Sequence, residues 1–260
     1  MGKILCKDKD IVVPGDILAE GMDYLPAGGA FRDGNNLIAS QVGLIAISDR
    51  LIRVIPMSGR YIPKRGDTVI GKVSSVGANN WFVDVGYANE AMLPVREATS
   101  EFVPRGADLT NYYRVGDYIV TKISNTTRQK LVDVSMRGPG LRRLGPGRII
   151  YITPAKVPRV IGKAGSMIQM IKDKTDCRII VGQNGMTWIN GNDPAKENVA
   201  VEAIKLIEER SHKTGLTDEI KLFLEKKIKS SPKKEIPKKE EVKAPKKEIK
   251  GEKKNVQKKK

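Results

Sequence analysis

Histidine and cysteine are almost missing from this chain, which has one His, His212, and two cysteines, Cys6 and Cys177, in 260 residues. A histidine-rich metal centre, a CxxC redox pair and a zinc ribbon each need more ligands at closer spacing than these three residues supply. Two lone, distant cysteines make no disulfide framework either. Long apolar runs are also lacking, and none approaches the roughly twenty residues of a membrane-spanning helix. The opening stretch, Met1 to Asp10, is polar and carries no apolar signal-peptide core, so the expected address is the cytoplasm, with no membrane partner. Acidic residues are the minority charge, 30 Asp and Glu against 47 Lys and Arg.

The resulting net charge of +17 makes polyanions the expected partners, because phosphates attract Lys and Arg at long range and release counterions on contact. Charge is uneven along the chain. Residues 231–260 hold 13 Lys, 5 Glu and three prolines with no aromatic, a net of +8 in a composition that cannot build a core. This reads as a disordered basic tail that either holds RNA weakly or keeps the protein soluble. The remaining body still carries +9. A length of 260 residues gives two or three modules, too few for a large multidomain enzyme.

Up to about residue 140 the pattern is of short strands cut by Gly, Pro, Asn and Asp. A Gly-Asp turn opening a strand recurs at Gly15-Asp16, Gly66-Asp67 and Gly116-Asp117, which is common turn chemistry and marks strand starts. The stretch Pro56 to Pro63 divides two small β modules, 1–58 and 61–137. The Gly/Pro segment 138–147 reads as a linker around Arg142-Arg143. Beyond it, in 148–211, strands at Ile149–Ile152, Arg178–Val181 and Thr187–Asn190 alternate with helical patterns at Met167–Lys174 and Pro194–His212. Asp193 and Pro194 form an N-cap and first helical position. A helical extension at 212–230, apolar at Ile220, Phe223, Leu224 and Ile228, precedes the tail. The fold class is multidomain, β-rich plus α+β.

Directly after the linker, Val160-Ile161-Gly162-Lys163-Ala164-Gly165-Ser166 places a Gly-x-x-Gly turn before an amphipathic helix. Two glycines let backbone approach a ligand closely, and the helix N-terminal amides with Lys156, Arg159 and Lys163 suit a sugar-phosphate chain. Ile168 and Ile171 belong to the core by spacing. A nucleotide-binding P-loop fails, since Val157 stands where Gly is needed and Ala164 where Ser or Thr is needed. With Thr175, Ile179 and Trp188-Ile189-Asn190-Gly191, the segment from about Gly147 to Ser211 resembles a type I KH domain. That resemblance implies that Gly162, Lys163, Ala164 and Gly165 clamp single-stranded RNA, with Lys156 and Arg159 beside them.

Eight of the thirteen aromatics lie between Tyr61 and Tyr118: Tyr61, Trp81, Phe82, Tyr87, Phe102, Tyr112, Tyr113 and Tyr118, interspersed with Lys72, Arg96, Arg105, Arg114 and Lys122. Rings beside cations on a small barrel suit single-stranded nucleic acid, although most rings would fill the barrel. Alternation puts Trp81, Val83 and Val85 on one face and Phe82 with Asp84 on the other, open one. From Tyr61 to Arg137 the chain resembles the S1-type RNA-binding domain, an OB-fold barrel. Phe82 matches that family's exposed ring, and Lys72, Tyr87, Arg96, Lys122 and Arg137 complete the expected RNA-binding set. Two positions depart from the family, Pro94 where many members have His and Asn79 where an aromatic is frequent.

The order of an N-terminal β module with Val12-Val13-Pro14-Gly15-Asp16, an S1-type barrel and a KH domain is similar to the RNA-binding cap subunits of the archaeal exosome. The sister cap type ends in a zinc ribbon, for which two lone cysteines provide no ligands. The resemblance implies a non-catalytic subunit without cofactor, three copies of which sit on a hexameric ring of RNase PH-type subunits. The N-terminal module would dock on the ring and the barrels would surround its entry pore, gathering RNA 3′ ends with a preference for adenine-rich tails. Residue types agree, since no catalytic set and no carboxylates at metal spacing are present. A free-standing RNA-binding protein acting in translation or as an RNA chaperone, and an enzyme with an unrecognised site, are the competing readings.

Overall fold

The computed structural model describes residues 2–99, 101, 103–104, 106–127, 129–211 and 215–230, without the side chains of 228–230. Phe102, Arg105, His212 and the Lys-rich segment 231–260 lie outside the described residues.

Short apolar runs interrupted by turn residues give eight strands at the start: β1 (Lys3–Ile4), β2 (Ile11–Val12), β3 (Ile17–Glu20), β4 (Leu25–Pro26), β5 (Ala30–Asp33), β6 (Asn36–Ala39), β7 (Gly43–Ser48) and β8 (Leu51–Pro56). They pair into two four-stranded sheets, ordered β1-β3-β6-β5 and β2-β7-β8-β4. The core between them is small and centres on Leu18, Leu37, Ile45, Ile52 and Val54.

The second module contains β9 (Thr68–Val76), β10 (Asn80–Asp84), β11 (Ala91–Pro94), helix α1 (Val95–Ala98), β12 (Tyr118–Thr126) and β13 (Val132–Ser135). β9 pairs with β10 and β12, β11 meets β13 in parallel, and β13 returns to β12, which closes a five-stranded barrel. The Gly-Asp turns fasten it. Gly66 and Gly116 both take φ of +95°, open to glycine without strain. Gly66 N–H donates to Ile123 O and Ile123 N–H to Asp67 O, while Gly116 N–H donates to Val73 O and Val73 N–H to Asp117 O. The recurrence is thus a reciprocal clamp at the two ends of the β9–β12 ladder.

Rings fill this barrel. Trp81 is fully buried, donates its Nε1–H to Tyr113 O at 3.1 Å, and meets the rings of Tyr113 and Tyr112 edge to face at 5.3 and 6.5 Å. Tyr61 is buried as well, its hydroxyl bonded to Asp67. Val83 and Val85 join Trp81 inside, as strand alternation requires.

After the barrel come β14 (Arg142–Arg143), β15 (Arg148–Tyr151), α2 (Val157–Ile161), α3 (Ser166–Thr175), β16 (Arg178–Val181), β17 (Met186–Asn190), α4 (Pro194–Glu209) and α5 (Leu216–Ser230). The sheet runs β15-β17-β16, all antiparallel, with helices on one face. Ile171, Ile189, Ile204 and Ile207 form its core, and Leu216, Ile220 and Leu224 of α5 extend it. Asp193 caps α4 by accepting from Ala195 N–H at 2.9 Å. α4 ends three residues short of His212, where Arg210 N–H returns to Leu206 O and its side chain pairs with Glu219 of α5.

The Gly/Pro segment does not span freely between barrel and KH domain. β14 pairs antiparallel with Ile119 and Val120, Arg143 bonds Asp117 at 2.7 Å, and Leu144 is buried. Leu144, Ile70, Val120, Met186 and Trp188 make a separate apolar cluster that joins the two modules. β9 runs on past the end of β10, whose pairing stops at Lys72, and so leaves a strand edge. The β16–β17 turn occupies it. Gln183 N–H donates to Thr68 O at 2.9 Å, and the buried Asn184 donates to Ile70 O and Val85 O and accepts from Ile70 N–H. Barrel and KH domain are therefore one packed body.

Candidate nucleic-acid interface

The KH loop is built by backbone conformations that constrain residue choice. α2 ends at Gly162, with φ +77° and ψ 177°, and a Cβ there would stand 2.7 Å from Met167 Cβ, so any larger residue collides. Lys163 and Ala164 form the exposed tip, Ala164 itself left-handed at φ +51°. Gly165, at φ +79°, starts α3 with no side-chain cap and with open space beside it. The first amides of α3 and the Lys163 ammonium thus face solvent at the point where the backbone is barest, which is the chemistry of an anion cradle. Arg159 is exposed one turn earlier, and Lys156 is half-buried before α2. All six residues of this set lie on one continuous segment. Ile168 and Ile171 are in the core behind it.

The barrel set is more dispersed. Phe82 is half-buried on the outer side of β10, opposite Ser75 on β9 and Met92 on β11. Met92 is 39% exposed, so the two side chains make a small apolar patch on the barrel wall. Lys72 is exposed on β9, opposite Asp84 and Tyr118, and joins this patch at one corner. Arg96 is exposed on α1, beside the 77–80 turn, where Val95 N–H bonds Asn79 O. Lys122 lies four residues further along the β9–β12 ladder, about 13 Å away at the usual strand rise. Arg137, its N–H bonded to Ser135 Oγ, flanks Lys122 on the β12–β13 side. Tyr87 rests against the barrel core and offers only part of its ring.

Lys72, Phe82 and Arg96 thus border one wall, while Lys122 and Arg137 stand on another. Sequence reasoning passed over Met92. The alternation Ala91-Met92-Leu93, with Ala91 and Leu93 buried, was the signal that could have found it.

Among curated proteins, the exosome complex component Rrp4 of Pyrococcus abyssi is 42% identical over 249 residues, covering 93% of each chain. The chain belongs to the Rrp4 family of exosome components. Family models match the Rrp4 N-terminal domain at residues 9–58, the Rrp4 S1 domain at 60–104 and a KH domain at 147–195. The Rrp4 component of Methanothermus fervidus is 41% identical over 222 residues, which cover 85% of this chain and 97% of that one. A crystal structure described as an exosome complex RNA-binding protein superposes with a TM-score of 0.60 at 38% identity, covering 66% of this chain and 98% of the other. The two surfaces above therefore fall in the S1 and KH portions of an Rrp4-family chain.

Proposed function

We propose that this chain is a non-catalytic RNA-binding subunit of the exosome that captures single-stranded RNA 3′ ends and delivers them to a phosphorolytic ring of RNase PH-type subunits, three copies to a ring. The observation that carries the reading is that the exposed Gly162–Gly165 loop and the Phe82 wall of the barrel stand on one packed body. Two weak sites held at a fixed separation retain a strand better than either alone. A preference for adenine-rich tails belongs to the same proposal, as the family resemblance implies.

The N-terminal module supports docking on a ring. Among the described residues, twelve of the eighteen exposed large apolar side chains lie between Ile4 and Met57, with Ile11 65% and Met22 72% exposed. An apolar surface of this kind on a module with so small a core suits a permanent protein contact.

The test is native mass spectrometry of the complex recovered through a tag on this chain. Three copies with a six-subunit ring are expected, and recovery of the chain alone or with ribosomal proteins would overturn the ring reading in favour of a free RNA-binding protein. For the loop, Lys163→Asp with Ala164→Asp is expected to weaken single-stranded RNA binding by about tenfold or more, through charge reversal at the phosphate contact. Unchanged affinity removes the loop from the site.

A further inference from the structure

One face of the KH sheet carries Ile149, Ile180, Met186 and Trp188, all packed into the junction with the barrel. Tyr151 belongs to that same face, two residues beyond Ile149 on the edge strand β15. It is nevertheless 67% exposed, more than any other aromatic side chain among the described residues. The strand has run past the covered area and leaves one ring at its rim. Burial first, then the neighbouring Tyr118 hydroxyl on the barrel and Asp84, raise its ionisation above the ordinary tyrosine value, so the ring borders the barrel at this rim.

Tyr118 connects the ring to the barrel wall. It stands opposite Lys72, and Lys72 stands opposite Asp84, so the three cross β12, β9 and β10 in one row about 10 Å long. Phe82 follows two residues along β10 on the same outward side. An unbroken outer track therefore leads from the Phe82–Met92 patch over Asp84, Lys72 and Tyr118 to Tyr151. Lys72 makes no ion pair among the described residues, whereas Asp84 accepts the Gly86 N–H at 2.8 Å. On its other side Tyr118 borders a crevice of about 460 Å³ with Ile149, Leu144 and Trp188 in its lining.

We propose that Tyr151 is a base-stacking position for single-stranded RNA, which hands a strand bound on the barrel wall across the junction to the KH domain. The proposal rests on the RNA-binding reading above. A flat, solvent-facing ring beside a row that carries the Lys72 ammonium offers a base a stacking surface and its phosphate a counter-charge. The apolar residues that share the ring's sheet face, Ile149, Ile180, Met186 and Trp188, are packed against the barrel and leave little for a docked protein to cover.

The experiment measures fluorescence anisotropy of a labelled oligoadenylate with the full chain, its Tyr151→Ala and Tyr151→Phe variants, and the Lys163→Asp, Ala164→Asp variant, with thermal unfolding of each. The expected result is a loss of about 5- to 100-fold for Tyr151→Ala, near-parental affinity for Tyr151→Phe, which keeps the ring, and unchanged unfolding temperature for both. Unchanged affinity of Tyr151→Ala, with weakened binding by the loop variant, overturns the stacking site and leaves the RNA-binding reading standing. Loss of thermal stability in step with affinity overturns the stacking site in favour of a packing role. No RNA binding by the parental chain overturns both readings.

Discussion

At the scale of single residues, two buried polar groups carry opposite messages. The Tyr61 hydroxyl donates to Asp67 at 2.7 Å, and burial first, then this bond, hold its ionisation far above the usual tyrosine value near 10. The folded state keeps the proton that the unfolded state gives up, so the contribution is full below about pH 10 and lost as pH rises above it. Urea denaturation across the alkaline range is expected to show a stability decline that is shallower in Tyr61→Phe, which lacks the titrating group. Thr187, by contrast, is fully buried in β17 with no partner for its hydroxyl among the described residues. Thr187→Val keeps the β-branched shape and removes that group, and is expected to raise unfolding free energy by about 1 kcal/mol in equilibrium denaturation. The glycines of the KH loop were legible because their constraint is local. A left-handed turn ahead of a helix leaves its mark within four residues, and Gly162 has Met167 pressed against it.

At the scale of elements, strand starts and the outward side of Phe82 were readable for the same reason, since alternation is a short-range signal. The junction was missed because its partners are distant in sequence. Ile70, Val120 and Trp188 look like ordinary strand residues, and the Gly/Pro segment has the composition of a spacer. One signal was present. Val69-Ile70-Gly71 and Ile119-Val120-Thr121 break alternation with three consecutive buried positions, which is how a strand covered on both faces reads. Asn184 could have been suspected only as a turn residue between two glycines, yet it satisfies backbone groups of Ile70 and Val85. Asn184→Leu leaves those groups unpaired and is expected to cost about 2 kcal/mol in denaturant unfolding, and to separate barrel and KH transitions that otherwise coincide.

At the scale of the whole molecule, the proposed division of labour sets an N-terminal module with many exposed apolar side chains against a basic body. Ile11→Asp combined with Leu25→Asp alters two exposed side chains of the N-terminal module. The expected outcome is loss of co-purifying ring subunits with unchanged RNA affinity, read by pull-down and anisotropy on the same preparation. Loss of both would mean that the module helps to fold the rest. The occupied edge of β9 has a consequence for anyone who divides this chain at its apparent seams. A fragment ending at Arg137 would keep every barrel strand, yet it would bare Ile70, Val120 and an open row of amides and carbonyls. Such a fragment would self-associate through that row. The smallest piece that stays monomeric is then the barrel with its KH partner attached, inherited and lost together.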